Sequence, residues 1–233
     1  MKHALQFVCG IVVTSALVLA GCDKPPKGDK AVIGDQVLPM SGKGETFNVG
    51  TANSWIRFTG HGVGKNHTAM MQLQYGTVEL QNEQVKEGTF VIDITSIDPD
   101  EEGEIFDTKL RPHLLSGDFF DAANFGTSRF EITDVVPYTP KEGEKSLVEG
   151  ANFEVSGNLQ IKNVTRNITF PARVDLDGER LEARANFDID RREWEMNYGN
   201  DKTLGDKFIS ETVNIELYVA ALRENQAIEM NPM

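Results

Sequence analysis

From Val78 onward the chain is patterned in twos. Val78 and Leu80 are followed by Phe90, Ile92 and Ile94, then by Phe130 and Ile132, with polar residues between them. The pattern strengthens through Val155, Gly157, Leu159 and Ile161, then Ile168, Phe170, Ala172 and Val174, then Leu181, Ala183, Ala185, Phe187 and Ile189, and a last run of Val213, Ile215, Leu217 and Val219. A period of two puts the apolar residues on one face of a β-strand. Asp177-Gly178 suits a tight hairpin, because glycine accepts positive φ, and Asn163-Val164-Thr165 marks a second turn. Consecutive hairpins predict an antiparallel meander, and closing it into a barrel removes its exposed edges. The expected fold class is all-β: a single closed antiparallel barrel of about eight strands. Phe58, Phe90, Ile92, Phe130, Leu159, Phe170 and Phe187 are expected to point inward. Alternation does not separate a filled core from a cavity. Gly157, Ala172, Ala183 and Ala185 leave room and favour a cavity.

One stretch breaks the pattern. Residues 98–104 are acidic and turn-like, and alternation fails through residue 121, where Pro112 and Gly117 limit any helix to a few turns. A long connection with short helical pieces over one barrel mouth is expected. Residues 136–150 read as a polar hairpin loop. Residues 23–45 contain Pro25-Pro26, Gly28, Gly34, Pro39, Gly42 and Gly44 and read as a tether. If flexible, it would have a root-mean-square reach of roughly 25 Å.

The N-terminus has the three-part layout of an export signal: Lys2 and His3, an apolar run from Ile11 to Ala20, and small residues at Ala20-Gly21. Leu19-Ala20-Gly21-Cys22 resembles a bacterial lipobox. The resemblance implies a thioether-linked diacylglycerol on Cys22, cleavage before it, and acylation of its freed amine. The expected division is a signal peptide at 1–21, a lipidated Cys22 and tether at 22–45, a barrel at 46–223 and a tail at 224–233. Two or three acyl chains anchor far more durably than one, at about 0.8 kcal/mol per buried CH₂. The expected location is the periplasmic side of a bacterial membrane. Asp23, directly after Cys22, resembles an inner-membrane retention signal.

Loss of the signal removes Lys2 and no acid, so the formal charge moves from −13 to −14. Such a chain is repelled by nucleic acid and anionic headgroups, leaving the anchor as its route to a membrane. Cys9 leaves with the signal, so the mature domain has neither a free thiol nor a disulfide, and its stability rests on an apolar core.

His61, His67 and His113 are the metal-ligand candidates. Positions 61 and 67 on one strand would lie about 20 Å apart, and no metal site is expected. The carboxylates Asp98, Asp100, Glu101, Glu102 and Glu104 read as a solvated loop. Ser116 lies near His113 and Asp118 without a nucleophile elbow or oxyanion motif. Asp107 and Asp118 read as capping or turn residues. Arg191 has two readings: a strand-end ion pair with Asp190 or Glu193, or a headgroup contact at the barrel mouth.

The aperiodic stretch also carries a family resemblance. Asp107-x-x-Leu110-x-x-His113-Leu114-x-Ser116-x-Asp118-Phe119-Phe120-Asp121, followed by Phe130-Glu131, resembles the central signature of the YceI-like family of polyisoprenoid-binding proteins. Val155-x-Gly157-x-Leu159-x-Ile161-x-x-Val164-Thr165, Asp190-Arg191, Gly205-Asp206 and Val213-x-Ile215 match its later motifs, so the likeness spans about Asn53 to Leu222. It implies an exported lipocalin-like barrel holding an isoprenoid or similar extended lipid; beside it, the residues lead us to expect no cofactor and no catalysis. His67, His113 and Arg191 are then candidates to orient a polar end, with Phe119 and Phe120 packed at the mouth. The sequence departs from the family at His67-Thr68-Ala69-Met70-Met71, where Ala69 and Met71 keep the site apolar but more adaptable. Two other readings stay open: a periplasmic enzyme or redox-associated protein acting on a quinone-like lipid, and a filled barrel serving protein interaction.

Overall fold

A computed structural model describes residues 24–62, 64–99, 106–140, 145–201 and 208–224. Cys22, the signal segment and the end of the tail lie outside the described residues, as do residues 100–105 of the acidic loop. The strands are β1 (Asp29–Lys30), β2 (Val32–Gly34), β3 (Glu45–Val49), β4 (Trp55–Gly62), β5 (Lys65–Gln81), β6 (Gln84–Pro99), β7 (Thr127–Pro137), β8 (Phe153–Ile161), β9 (Val164–Asp177), β10 (Arg180–Asp190) and β11 (Ile209–Arg223). Strands β4 to β11 run antiparallel in order, and β11 returns to pair with β4, which closes an eight-stranded barrel. Strand β3 lengthens that closing position by pairing with both β11 and β5.

The expected hairpin turns are present. Gly178 has φ 58°, which glycine accepts without penalty, and Lys162 takes φ 52° between β8 and β9. Strand β5 is longer than its alternation suggested, at 17 residues. Its buried positions run Ala69, Met71 and Leu73, then change phase to Gly76, Val78 and Leu80. An irregularity between Leu73 and Tyr75 in the pairing with β6 accounts for the change. Asp98, expected in a loop, belongs to β6 and pairs with Met70.

The tether expectation changes most. Past Ala172 and Ala185, β9 and β10 separate, and the N-terminal segment occupies the gap. Strand β1 pairs in parallel with Phe187 and Asp188 of β10, while β2 pairs antiparallel with Asn167, Ile168 and Thr169 of β9. Ala31 between them is 5% exposed. The segment continues along the outside of the barrel, where Asn158 bonds both the amide and the carbonyl of Val37. Met40 then donates to the Ile132 carbonyl at 2.9 Å, beside the part of β7 that extends past its pairing with β6. A stretch rich in Pro and Gly is thus a strap bound to the barrel.

Two apolar clusters occupy the interior. The larger joins Phe58, Met71, Ile94, Phe120, Phe170 and Phe187 with residues of the loops at one end, including Leu114, Phe119, Trp194 and Met196. The smaller joins Phe47, Val78, Leu80, Leu181 and Ala221 near the opposite end.

Candidate functional site

The barrel is hollow. Its interior holds a cavity of about 1140 Å³, lined mainly by the inward side chains of the strands. Phe90, Ile92, Phe130, Val155, Leu159, Ile215 and Leu217 line it and are only half-buried, because part of each faces open space inside the wall. This settles the choice that alternation left open, in favour of a cavity over a filled core. The volume lies just above the roughly 300–1,000 Å³ usual for small-molecule pockets. The shape follows from β5, which contributes lining residues from His67 to Leu80. That separation is about 40 Å along the strand and about 30 Å along the axis of a barrel tilted by ~40°.

Four phenylalanines form a continuous aromatic wall. Phe170 stacks on Phe187 with centroids 4.1 Å apart, Phe130 lies 6.0 Å from Phe170, and Phe90 lies 6.2 Å from Phe130. Gly157 supports this wall, since a Cβ there would sit 2.1 Å from Phe130 Cζ. Its missing side chain makes space for a ring instead of enlarging the cavity, contrary to expectation.

The mouth is built by the connection between β6 and β7. A wide helical turn, Phe106–Leu110, leads into a short α-helix, α1 (Arg111–Leu115), with Pro112 in its first turn, where its missing amide costs nothing. Arg111 ties the helix to β6 by donating to the carbonyls of Ile97 at 2.8 Å and Thr95 at 2.9 Å. Leu110, Leu114, Phe119 and Phe120 then line the cavity from this end. Phe120 meets Phe58 edge-on at 6.2 Å. His113 approaches Asp118 with Nε2 3.0 Å from Oδ2, and its ring packs edge-on against Phe119 and Tyr198. The Asp107 side chain lies outside the described residues.

Arg191 binds backbone carbonyls in place of the expected strand-end ion pair. It is 2% exposed, and its guanidinium donates to the carbonyls of Ser210 at 2.9 Å, Ile209 at 2.9 Å and Met196. Asp190 pairs with Arg192, and Glu193 with Arg166. The Arg192 hydrogen bond holds the Asp190 carboxyl below the usual carboxylate range against the opposing effect of burial. Burial draws the Arg191 pKa down from its ordinary value. Arg191 therefore clamps the loop after β10 to the start of β11, with its guanidinium carbon 5.9 Å from the Phe119 ring centroid.

The cavity brings together every ligand-lining residue expected from sequence: Phe58, His67, Met71, Phe90, Ile92, His113, Phe119, Phe120, Phe130, Leu159, Phe170, Phe187 and Arg191. His67 lies exposed at the rim. His61 lines the cavity but bonds Asn66, with Nδ1 2.7 Å from Oδ1, and among the described residues no cluster of three metal-ligating side chains forms. The Ser116 hydroxyl donates to the His113 carbonyl at 2.7 Å, which is not a relay to the imidazole. Sequence reasoning missed Met196, Tyr198 and Phe208, which also line the mouth. The signal for Met196 and Tyr198 was the run Trp194-x-Met196-x-Tyr198, apolar alternation inside a segment otherwise read as a connection.

These features define a closed eight-stranded barrel that encloses one long apolar cavity beneath a helical mouth loop. The chain belongs to the YceI-like family, whose domain model matches residues 47–221. Among solved structures it is similar to BcnA of Burkholderia cenocepacia, at 17% identity and a TM-score of 0.57 over 74% of this chain and 98% of that one. It is also similar to a polyisoprenoid binding domain from Saccharophagus degradans implicated in plant cell wall breakdown, at 15% identity and a TM-score of 0.55 over 76% of this chain and 98% of that one. No curated protein matches the chain.

Proposed function

We propose that this protein is an exported, lipid-anchored binding protein that holds an isoprenoid or similar extended lipid in its barrel, for carriage or sequestration. The apolar cavity of about 1140 Å³ carries the reading, because its lining offers a matching surface against which a ligand buries apolar area. Each CH₂ of an enclosed chain contributes about 0.8 kcal/mol. The length of the cavity favours a slender chain over a compact ring system. The similar polyisoprenoid binding domain of Saccharophagus degradans supports the same ligand class. His67 and His113 at the mouth supply polar contacts for a headgroup, while the Arg191 donors are directed to backbone carbonyls. Binding without catalysis fits a site whose polar groups are few beside its apolar lining and lie toward its two ends, His61, His67 and His113 at the mouth and Glu83, Gln84 and Lys86 at the other. The lipobox-like Cys22 supports anchoring on the periplasmic side of a membrane, and Asp23 supports the inner membrane.

The test is to purify the protein from its own host, extract it with solvent and identify the lipid by mass spectrometry. A stoichiometric chain lipid is expected, with isoprenoids foremost. A lipid-free extract from a barrel that also takes up no added polyprenyl lipid overturns the proposal.

A further inference from the structure

The first described residues lie at the mouth end of the barrel. The Asn66 side-chain amide donates to the Lys24 carbonyl at 2.9 Å, and Asn66 bonds His61 across the β4–β5 hairpin, where Gly62 and Lys65 line the mouth. Four residues later the Gly28 amide donates to Asp188 at 3.0 Å, and the chain enters the gap between β9 and β10. From Lys24 onward, therefore, the segment is held on the barrel. Cys22 precedes Lys24 by two residues, and a chain extends at most ~3.6 Å per residue, so the two Cα atoms are within about 7 Å. The expected reach of roughly 25 Å contracts to a fraction of that.

We infer that the mouth is the membrane-docking surface of this protein, held against a phospholipid bilayer by the acyl chains of Cys22. The inference rests on the lipid anchor proposed above and adds an orientation to it. Tyr198 at the mouth is 41% exposed while packed on His113, an amphipathic ring placed as interfacial aromatics are. On the strap, Val32 is 69% exposed where it pairs with Thr169 in the first half of β9, the half nearer the mouth. The β9–β10 turn at Gly178 and Glu179 lies at the other end, directed away from the bilayer. A chain lipid then passes between membrane and cavity without crossing an intervening water layer.

The test uses the full lipidated chain, in which Cys9 is lost with the signal and the Cys22 sulfur is held in its thioether to diacylglycerol, so an introduced cysteine is the single free thiol. Asn163→Cys labels the mouth end at the β8–β9 turn, and Glu179→Cys labels the far end. Each variant carries an environment-sensitive fluorophore and is reconstituted on phosphatidylcholine vesicles containing headgroup spin-labelled lipid. Quenching several-fold stronger at 163 than at 179 is expected, and a long Gly-Ser linker inserted after Cys22 should erase the difference. Equal quenching, or stronger quenching at 179, in protein shown by mass to be acylated overturns the orientation alone. An N-terminal peptide without diacylglycerol removes the anchor and this inference with it, and leaves ligand binding by the barrel standing.

Discussion

Arg191 shows how a buried cation can serve architecture. Its planar fork reaches three carbonyls from Met196, Ile209 and Ser210, which approach it from two separate segments. Arg191→Ala leaves those acceptors without their donor, at about 1–3 kcal/mol for each that stays buried and unsatisfied. We expect a loss of at least about 3 kcal/mol in urea unfolding, and little recovery in Arg191→Lys, which lacks the planar fork. Near-native stability of the alanine variant would contradict the clamp. Sequence placed Arg191 at the strand end but missed its partners, because carbonyls up to 19 positions away carry no residue-type signal. The inward phenylalanines were legible for the opposite reason. Period-two alternation names them directly, and Phe90, Phe130, Phe170 and Phe187 do form one wall.

Among the elements, the strap changes the picture most. Composition described it correctly as rich in Pro and Gly, yet its function depends on a gap between β9 and β10 that only tertiary structure reveals. The phase change in β5 was hidden for a related reason, since an irregular pairing step interrupts the alternation on which sequence reading depends. The hairpin at Gly178 needed no tertiary information, because its backbone requirement is local. Ala31 offers a direct test of the strap, being buried between two paired segments. Ala31→Asp introduces a carboxylate where no cation is paired in the wild type, and should release residues 29–34 while the barrel stays folded. Hydrogen exchange should then show fast amides in β1 and β2 beside protected amides in β8 and β11. Unchanged protection in β1 and β2 would mean that the strap is held by other contacts.

At the scale of the whole molecule, an antiparallel barrel encloses one apolar cavity, its mouth loop contributes the ring cluster at one end, and its N-terminal strap reaches from the mouth toward the proposed anchor. Architecture and inward residues were readable from periodicity, whereas the hollow interior was not, because the same alternation serves filled and open barrels. The half-buried state of Leu159, Leu217 and Ala183 expresses that difference. Native mass spectrometry of the mature barrel, purified from its own host as wild type and as Ala183→Trp, tests the central claim most directly. The account predicts one chain lipid per wild-type barrel and reduced occupancy in the tryptophan variant, whose indole takes up cavity space beside β10. An empty wild-type barrel, or equal occupancy in the two proteins, would contradict it.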